Sequence, residues 1–302
     1  MAFAFTRVMH LCKRAALLVA TFPLVACHSA VLDPHGPIGK AEKTILVDSL
    51  AIMLAIVVPT IIATLGIAWW FRASNKHALY LPTWEYSGQI ELVVWAIPIM
   101  VITLLGGVTW IGAHKLDPAI PLESKSAPLD IQVVSLDWKW LFIYPSQKIA
   151  TVNELVVPSN VPLHLTLTSS SVLNAFFIPQ LGSMIYTMAG MTTELNLSAD
   201  EVDTFRGLSS HYSGEGFSDM HFNARAVSSD DFDAWILKVH SDGRALDSKA
   251  YSDLAKPSIG MAPTTYGAVD TGLFDKIVRL NISPGPGPST EHAGATQSAL
   301  EH

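Results

Sequence analysis

Two uncharged apolar runs constrain this chain more than any other feature of its sequence. They cover residues 49–71 and 92–113, which are 23 and 22 residues long. About 20 apolar residues in a helix cross the hydrocarbon of a bilayer, so each run predicts a transmembrane helix. Pro59 and Pro98 lie inside the runs, where neighbouring helices can satisfy the carbonyl groups that proline leaves free. Together the runs predict a membrane hairpin; a buried hairpin in a soluble core is the alternative.

The N-terminus has the layout of a secretory signal. Three basic residues precede an uncharged run, and the residues LVAC that end at Cys27 resemble the lipobox of bacterial lipoproteins. We therefore expect a signal peptide over 1–26, diacylglycerol on the Cys27 sulfur, and a periplasmic segment over 27–48. An uncleaved anchor is the alternative, but the run of 12 apolar residues is too short to span a bilayer.

The expected lipid attachment also predicts the orientation of the chain. Lipid is added on the outer face of the bacterial inner membrane, so two crossings bring everything after about residue 114 into the periplasm. Basic residues decide less, because two lie between the spans while Lys40, Lys43 and Lys115 flank them outside. Removal of the signal lowers the formal net charge from −7 to −10, which argues against a nucleic-acid partner.

Short β-like runs begin at residue 129. Residues 163–168 alternate leucine with histidine or threonine, which is typical of a strand with one buried face. Similar runs separated by proline, glycine and serine predict a β-sandwich over 114–228. Apolar residues at helical spacing predict short helices over 229–282, and the Pro-Gly repeat beyond them predicts a disordered tail over 283–302.

Four motifs follow one another through the predicted sandwich: VSLDWKWLFIYP at 134–145, ATVNE at 150–154, SVLNAFFIP at 171–179 and LGSMIYTMAG at 181–190. In this order they resemble subunit II of haem–copper respiratory oxidases, and within that family subunit II of cytochrome bo-type ubiquinol oxidases. The likeness extends from the lipobox to about residue 280. It implies a two-helix transmembrane hairpin, then an all-β cupredoxin-like Greek-key sandwich, and then a short helical C-terminal extension.

One branch of the resembled family binds two copper ions in the sandwich. Its ligands are a histidine before a Phe/Trp-x-x-Pro turn and a loop of the form Cys-Ser-Glu-x-Cys-Gly-x-x-His-x-x-Met. Here the loop reads SSHYSGEGFSDM. Asn174 takes the first histidine position, Ser209 and Ser213 the cysteine positions, and Phe217 the second histidine position, so that only Met220 remains.

Serine hydroxyls are hard and weakly acidic, so they cannot replace the bridging thiolates that suit copper. The chain's two cysteines are Cys12, inside the expected signal, and Cys27. We therefore expect no metal, no cofactor and no catalytic residue in this chain.

The resemblance implies a non-catalytic subunit of a proton-pumping complex that oxidises ubiquinol and reduces oxygen to water in the aerobic respiratory chain. The haems and one copper are then expected in subunit I. Subunits III and IV and membrane lipid are the further partners. The alternatives are a copper-binding cytochrome c oxidase subunit II and a stand-alone cupredoxin-like lipoprotein in copper trafficking or assembly.

Three residues are candidates for contacts with the rest of such a complex. Glu91 begins the second apolar run on the cytoplasmic side, where a carboxylate is costly and usually near water or a partner. The resemblance places it at the mouth of a proton-uptake path into subunit I; an interfacial anchor or an intersubunit salt bridge is the alternative. Trp138 and Trp140 match the aromatic region that the copper branch uses for electron uptake. Without copper we expect these residues to pack inside the domain or at the interface with subunit I.

Overall fold

The computed structural model describes residues 30–79, 81–124, 126–283 and 285. The predicted order of a two-helix hairpin, a β-sandwich and a short helical extension is confirmed. The predicted signal peptide and Cys27 lie outside the described residues, as does the predicted tail apart from residues 283 and 285.

The hairpin consists of helices α1 (Pro37–Trp70) and α2 (Gly88–Lys115), both long and apolar enough to cross a membrane. Both helices begin before the apolar runs, because apolarity marks the part in hydrocarbon rather than the ends of the helix. Pro37 stands in the first turn of α1, where its missing N–H costs no hydrogen bond. The 34 residues of α1 span about 50 Å, whereas the hydrocarbon is about 30 Å thick. The polar start of α1 therefore projects beyond the hydrocarbon.

Ten strands form the predicted sandwich. They are β1 (Leu129–Leu136), β2 (Lys139–Tyr144), β3 (Ile149–Val152), β4 (Glu154–Pro158), β5 (Leu163–Ser169), β6 (Asn174–Ile178), β7 (Gly182–Thr187), β8 (Thr193–Leu197), β9 (Asp203–Ser209) and β10 (His221–Val227). The extension adds α3 (Ser229–Ser241), β11 (Ala245–Leu246), α4 (Ser248–Leu254), β12 (Thr264–Tyr266), β13 (Ala268–Val269) and α5 (Leu273–Val278).

The sandwich has a six-stranded sheet in the order β12-β3-β2-β1-β5-β8 and a five-stranded sheet in the order β4-β10-β9-β6-β7. Within these two sheets β1 pairs with β5, and β4 with β10, in parallel, while the other pairs are antiparallel. Strand β12 belongs to the extension and pairs with β3, so it completes one edge of the larger sheet. The predicted boundary at residue 229 therefore marks a change of secondary structure and not the end of the folded unit.

Strand β2 is buried along its whole length because both of its faces are covered. Trp140, Phe142 and Tyr144 belong to the core between the two sheets, while Leu141 and Ile143 belong to a second core. Successive side chains of a strand point to opposite faces, so a strand covered on both sides reads as a continuous apolar run. The extension covers the second core with apolar side chains that include Leu246, Tyr251, Leu254, Phe274 and Ile277.

Two glycines allow the start of α1 to approach the sandwich closely. A Cβ on Gly36 would lie 2.4 Å from the Ser198 carbonyl oxygen, and one on Gly182, at φ +144°, would lie 2.5 Å from Cγ2 of Ile38. The Gly39 amide donates to the Leu181 carbonyl at 3.0 Å. These contacts fix the sandwich directly on the end of the hairpin.

Candidate functional site

Strand pairing brings the predicted copper-ligand positions to one end of the five-stranded sheet. Asn174 is the first residue of β6 and Ser209 is the last residue of β9, and these strands pair antiparallel. The Ser210 amide donates to the Ala175 carbonyl at 3.0 Å. The loop then forms a short 3-10 helix and returns at Met220 to start β10.

The first contact at this site joins Asn174 and Ser209, which are both buried. The Ser209 hydroxyl lies 3.2 Å from Oδ1 of Asn174 and 3.2 Å from the His211 carbonyl oxygen. The Asn174 side-chain amide donates to the Val172 carbonyl at 3.3 Å. A neutral amide and a hydroxyl therefore satisfy each other where a metal centre would need an imidazole and a thiolate.

The second contact joins Ser213 and Met220, whose Oγ and Sδ atoms are 3.9 Å apart and buried. The Ser209 amide donates to the Met220 carbonyl at 3.0 Å, which connects this pair to the first. Phe217 is different, because its ring packs against the exposed Tyr212 at a centroid distance of 5.6 Å. Four of the five predicted positions thus lie in two linked contacts, and the fifth faces an aromatic neighbour.

This loop does not fit a copper centre. A thioether alone is a weak ligand, and the other four positions carry neutral oxygen groups or an aromatic ring. Within the part of the chain that the structure describes, no three His, Cys, Asp or Glu side chains are grouped as metal ligands. His211 and His221 are both exposed. The loop offers chemistry for hydrogen bonding and packing.

Trp138 closes the loop from the turn between β1 and β2. Its backbone has φ 65°, a left-handed conformation that is uncommon for a bulky residue. Its indole N–H donates to the Ser213 carbonyl at 3.1 Å, and a Cβ on Gly216 would lie 2.4 Å from the indole ring. Trp138 is buried within the domain, so in this chain it packs against the loop.

Trp140 occupies the centre of the core between the sheets and is completely buried. Its ring lies edge-on to Phe176 at 5.2 Å and to Phe222 at 5.9 Å. Phe176 and Phe222 stack at 5.2 Å. Of the two predicted roles for Trp140, packing inside the domain is the one that its position serves.

A buried charged cluster between β2 and the extension was missed by the sequence analysis. Lys139 is 1% exposed, and its ammonium donates to the Lys256 carbonyl and to the Ser258 hydroxyl, each at 2.6 Å. Burial lowers the pKa of Lys139 to about 8, and the nearby carboxylate of Asp137 opposes this shift. Asp137 is itself buried and accepts from the Ser171 hydroxyl. A lysine inside an aromatic and apolar strand was the signal that could have revealed this cluster.

Glu91 lies far from the loop, in the first turn of α2, and its side chain is exposed in the isolated chain. The helix continues 24 residues further to Lys115, which corresponds to about 36 Å. The chain then reaches the sandwich, where Asn196 donates to the Pro118 carbonyl at 3.0 Å. The structure therefore separates Glu91 from the loop of residues 209–220 by the length of the hairpin.

Comparison with known proteins places the chain in a family. It is 46% identical over 279 residues to cytochrome bo(3) ubiquinol oxidase subunit 2 of Pseudomonas aeruginosa, covering 91% of this chain and 84% of that protein. It is 50% identical over 258 residues to ubiquinol oxidase subunit 2 of Acetobacter aceti, covering 84% and 83%. The chain belongs to the ubiquinol oxidase subunit 2 family. The resemblance seen in the four sequence motifs is thereby confirmed.

Two further similarities concern parts of the molecule. The family model described as the COX Aromatic Rich Motif matches residues 240–285. In this chain the motif therefore corresponds to most of the extension that covers β2. The periplasmic domain of subunit II of cytochrome oxidase from Bradyrhizobium japonicum is 24% identical and matches with a TM-score of 0.37. That match covers 38% of this chain and 96% of the other.

Proposed function

We propose that this chain is subunit II of a quinol oxidase complex and that it serves the complex as a structural subunit without a redox centre of its own. The observation that carries the proposal is the closed loop. Asn174 bonds to Ser209, and Ser213 contacts Met220, at the positions where the copper branch would bind metal. The family membership supports the same conclusion, because the relatives are named as ubiquinol oxidase subunits.

The proposed complex oxidises ubiquinol to ubiquinone and reduces oxygen to water while it pumps protons. Its haems and its one copper belong to subunit I, so electrons pass from quinol to subunit I without crossing this chain. Subunits III and IV complete the complex. The present chain packs against subunit I through its membrane hairpin, on which apolar side chains such as Leu65, Trp95 and Ile102 are exposed in the isolated chain.

The test is purification of the complex in mild detergent through a tag at His302, followed by visible spectroscopy, metal analysis and oxygen uptake. We expect haem, one copper per complex, and oxygen uptake with ubiquinol but not with reduced cytochrome c. Three coppers with cytochrome c activity would show that the loop binds metal after all. A haem-free lone chain, obtained from membranes in which the complex is otherwise intact, would move the function to copper trafficking or assembly.

Glu91 is proposed to shape the proton-uptake entrance of the complex on the cytoplasmic side. Its carboxylate lies in the first turn of α2, at the membrane boundary, and no ion pair joins it to another described residue. A carboxylate in that place can attract protons from water and pass them to a neighbouring subunit. The alternatives are an anchor at the interface and a salt bridge to a partner.

The variant Glu91→Gln keeps the size of the side chain and removes its charge. We expect slower quinol-driven oxygen uptake and slower proton uptake in the purified complex. The matched control is Glu85→Gln, in the preceding loop, which should leave both rates unchanged. Unchanged rates in Glu91→Gln would reject the proton role. A loss of subunit association in this variant would favour the salt bridge.

Lipidation of Cys27 and a periplasmic position for the sandwich are also proposed. The lipobox supports lipidation, and lipidation in turn supports an inner-membrane protein with both its mature N-terminus and its sandwich outside. The mass of the purified subunit and its change in Cys27→Ala test the modification. Protease added to spheroplasts tests the orientation, because a periplasmic sandwich would be cleaved without lysis.

A further inference from the structure

We propose that a groove at the sandwich end of the hairpin binds one anionic phospholipid. The groove lies between α1 and α2 and is lined by Ala41, Ile45, Val108, Ile111 and Lys115, among others. We call it the outer groove. The proposal needs only that the hairpin spans a membrane, and it goes beyond the function proposed for the complex.

The shape of the outer groove depends on a close approach of the two helices. Gly112 is the one buried residue of α2, and a Cβ there would lie 2.9 Å from Cδ1 of Ile45. The helices therefore touch at Gly112, and the groove forms beside this contact. Its volume is about 450 Å³, within the range of about 300–1,000 Å³ that is usual for small-molecule sites.

The polarity of the outer groove suits a hydrocarbon chain. Thr44 also lines it, but its hydroxyl donates to the Lys40 carbonyl at 2.9 Å and is therefore already satisfied within α1. Away from the helix ends and the two prolines, the backbone groups bond within each helix, so the walls present mainly methyl and methylene groups. An acyl chain fills such a site without leaving polar groups unpaired.

One cation lies at the rim of this apolar site. Lys115 is the last residue of α2, it is exposed, and no ion pair joins it to another described residue. The neighbouring carboxylate of Asp117 instead accepts from the Ala119 amide at 3.0 Å. Lys40, at the same end of the hairpin, is already paired with Asp200 at 2.6 Å. Lys115 is therefore available for a lipid phosphate.

The depth of Lys115 fits a headgroup. Trp110 lies five residues earlier on α2, about 7 Å along the helix, and is 68% exposed. Exposed tryptophans concentrate at the boundary between hydrocarbon and headgroups. Lys115 then stands at headgroup level, Ile111 stands at the boundary and Val108 stands at acyl-chain level, as binding of a phospholipid requires. A lysine near the membrane surface attracts anionic lipid by about 1 kcal/mol, or about fivefold in affinity.

The occupant is a free phospholipid in this proposal and not the lipid expected on Cys27. A thioether-linked diacylglycerol has no phosphate to pair with Lys115. A helix of a partner subunit could fill the apolar part of the groove, but it would have to bring its own carboxylate to Lys115. The test distinguishes the Cys27 lipid and a partner helix from a free phospholipid.

The test compares three variants of the purified complex. Lys115→Gln removes the charge, Val108→Trp fills the groove, and Lys43→Gln removes a nearby lysine that does not line it. After delipidation in detergent, dioleoylphosphatidylglycerol or dioleoylphosphatidylcholine is added back, and bound lipid is counted by native mass spectrometry.

The unaltered complex and Lys43→Gln are expected to bind one phosphatidylglycerol more tightly than phosphatidylcholine. Lys115→Gln is expected to weaken phosphatidylglycerol binding about fivefold, which is the effect of a single lysine at an anionic surface, and to lose the headgroup preference. Val108→Trp is expected to abolish the binding of both lipids at this site. Quinol-driven oxygen uptake is measured in parallel, so failure of the lipid site can be told from failure of the complex.

Three results would overturn the proposal. The first is equal phosphatidylglycerol binding in the unaltered complex, Lys115→Gln and Val108→Trp. The second is equal affinity of the unaltered complex for both lipids. The third is that no added phospholipid binds at this site, either in the unaltered complex or in Val108→Trp. That result would mean that the Cys27 lipid or a partner helix already fills the groove.

Discussion

Replacement of the buried Lys139 by methionine should remove a pH dependence from the stability of the sandwich. The lysine ammonium is 1% exposed, between β2 and the extension. Burial lowers its pKa from the ordinary value of 10.5 to about 8. Between these two values the unfolded chain holds a proton that the folded chain has lost, so stability rises with pH. Below pH 8 both states are protonated, and the full cost of burying the charge remains.

The magnitude follows from the two pKa values. Their difference corresponds to about 3 kcal/mol of destabilisation at neutral pH, because a change of one in pKa is worth about 1.4 kcal/mol. About 2 kcal/mol of this should be recovered between about pH 7 and pH 9.5. Burial raises the pKa of Tyr251 to about 12 and that of Tyr144 further. These tyrosines lower the free energy of unfolding only above about pH 10, where the tyrosines of the unfolded chain lose their protons. Both pH values of the comparison therefore lie below about 10.

The assay is thermal unfolding of the purified complex, followed through tryptophan fluorescence at both pH values. For a unit of this size, about 2 kcal/mol corresponds to an increase of about 4–8 °C in the unfolding temperature. Lys139→Met should lack this increase, while Lys256→Met, at an exposed lysine of the same cluster, should retain it. If Lys139→Met keeps the full increase, the buried ammonium is not its source and the argument from desolvation is wrong.

Three further predictions concern the sandwich and its loop. Tyr144→Phe should lower the free energy of unfolding by about 3 kcal/mol, because the buried Tyr144 hydroxyl both donates to and accepts from the backbone of Val156 at 2.9 Å; a loss below about 0.5 kcal/mol in thermal unfolding would contradict this. Gly216→Ala should cost about 1–3 kcal/mol by pushing the Trp138 ring off the loop, which quenching of tryptophan fluorescence by acrylamide would detect as increased exposure. Copper should bind when the ligand types are restored together by Asn174→His, Ser209→Cys, Ser213→Cys and Phe217→His. Metal analysis should then find two extra coppers per complex, whereas Asn174→His alone should add none.

The sequence was sufficient to predict the hairpin and the sandwich because their signals are local. Apolar runs longer than a bilayer requires can hardly fold otherwise, and the alternation in residues 163–168 agrees with β5, where Leu163, Leu165 and Leu167 are buried. The ends of α1 and α2 were less accessible. The first turns of α1 precede the apolar run and pack on the sandwich through Gly36 and Gly182, and no local pattern encodes that contact.

The role of the extension was harder to predict for a related reason. Its helices follow from their spacing of apolar residues, but their partner is the outer face of β1, β2 and β3, far away in sequence. The available signal was the run of apolar residues in β2, since a strand with one face in water would alternate apolar and polar residues. Lys139 obscured that signal, because a lysine is read as exposed unless a distant carbonyl and hydroxyl are known to receive it.

The loop of residues 209–220 is held by contacts among neutral groups. A metal centre orders its loop through its ligands, and here neutral contacts perform that task. The Trp138 indole bonds to the Ser213 carbonyl, its ring rests on Gly216, and Ser209 bonds to Asn174. Each contact is modest, at about 1 kcal/mol for a hydrogen bond, but the loop also packs on a rigid aromatic core. The left-handed Trp138 connects these contacts, because its indole N–H and its ring both meet the loop from the turn between β1 and β2.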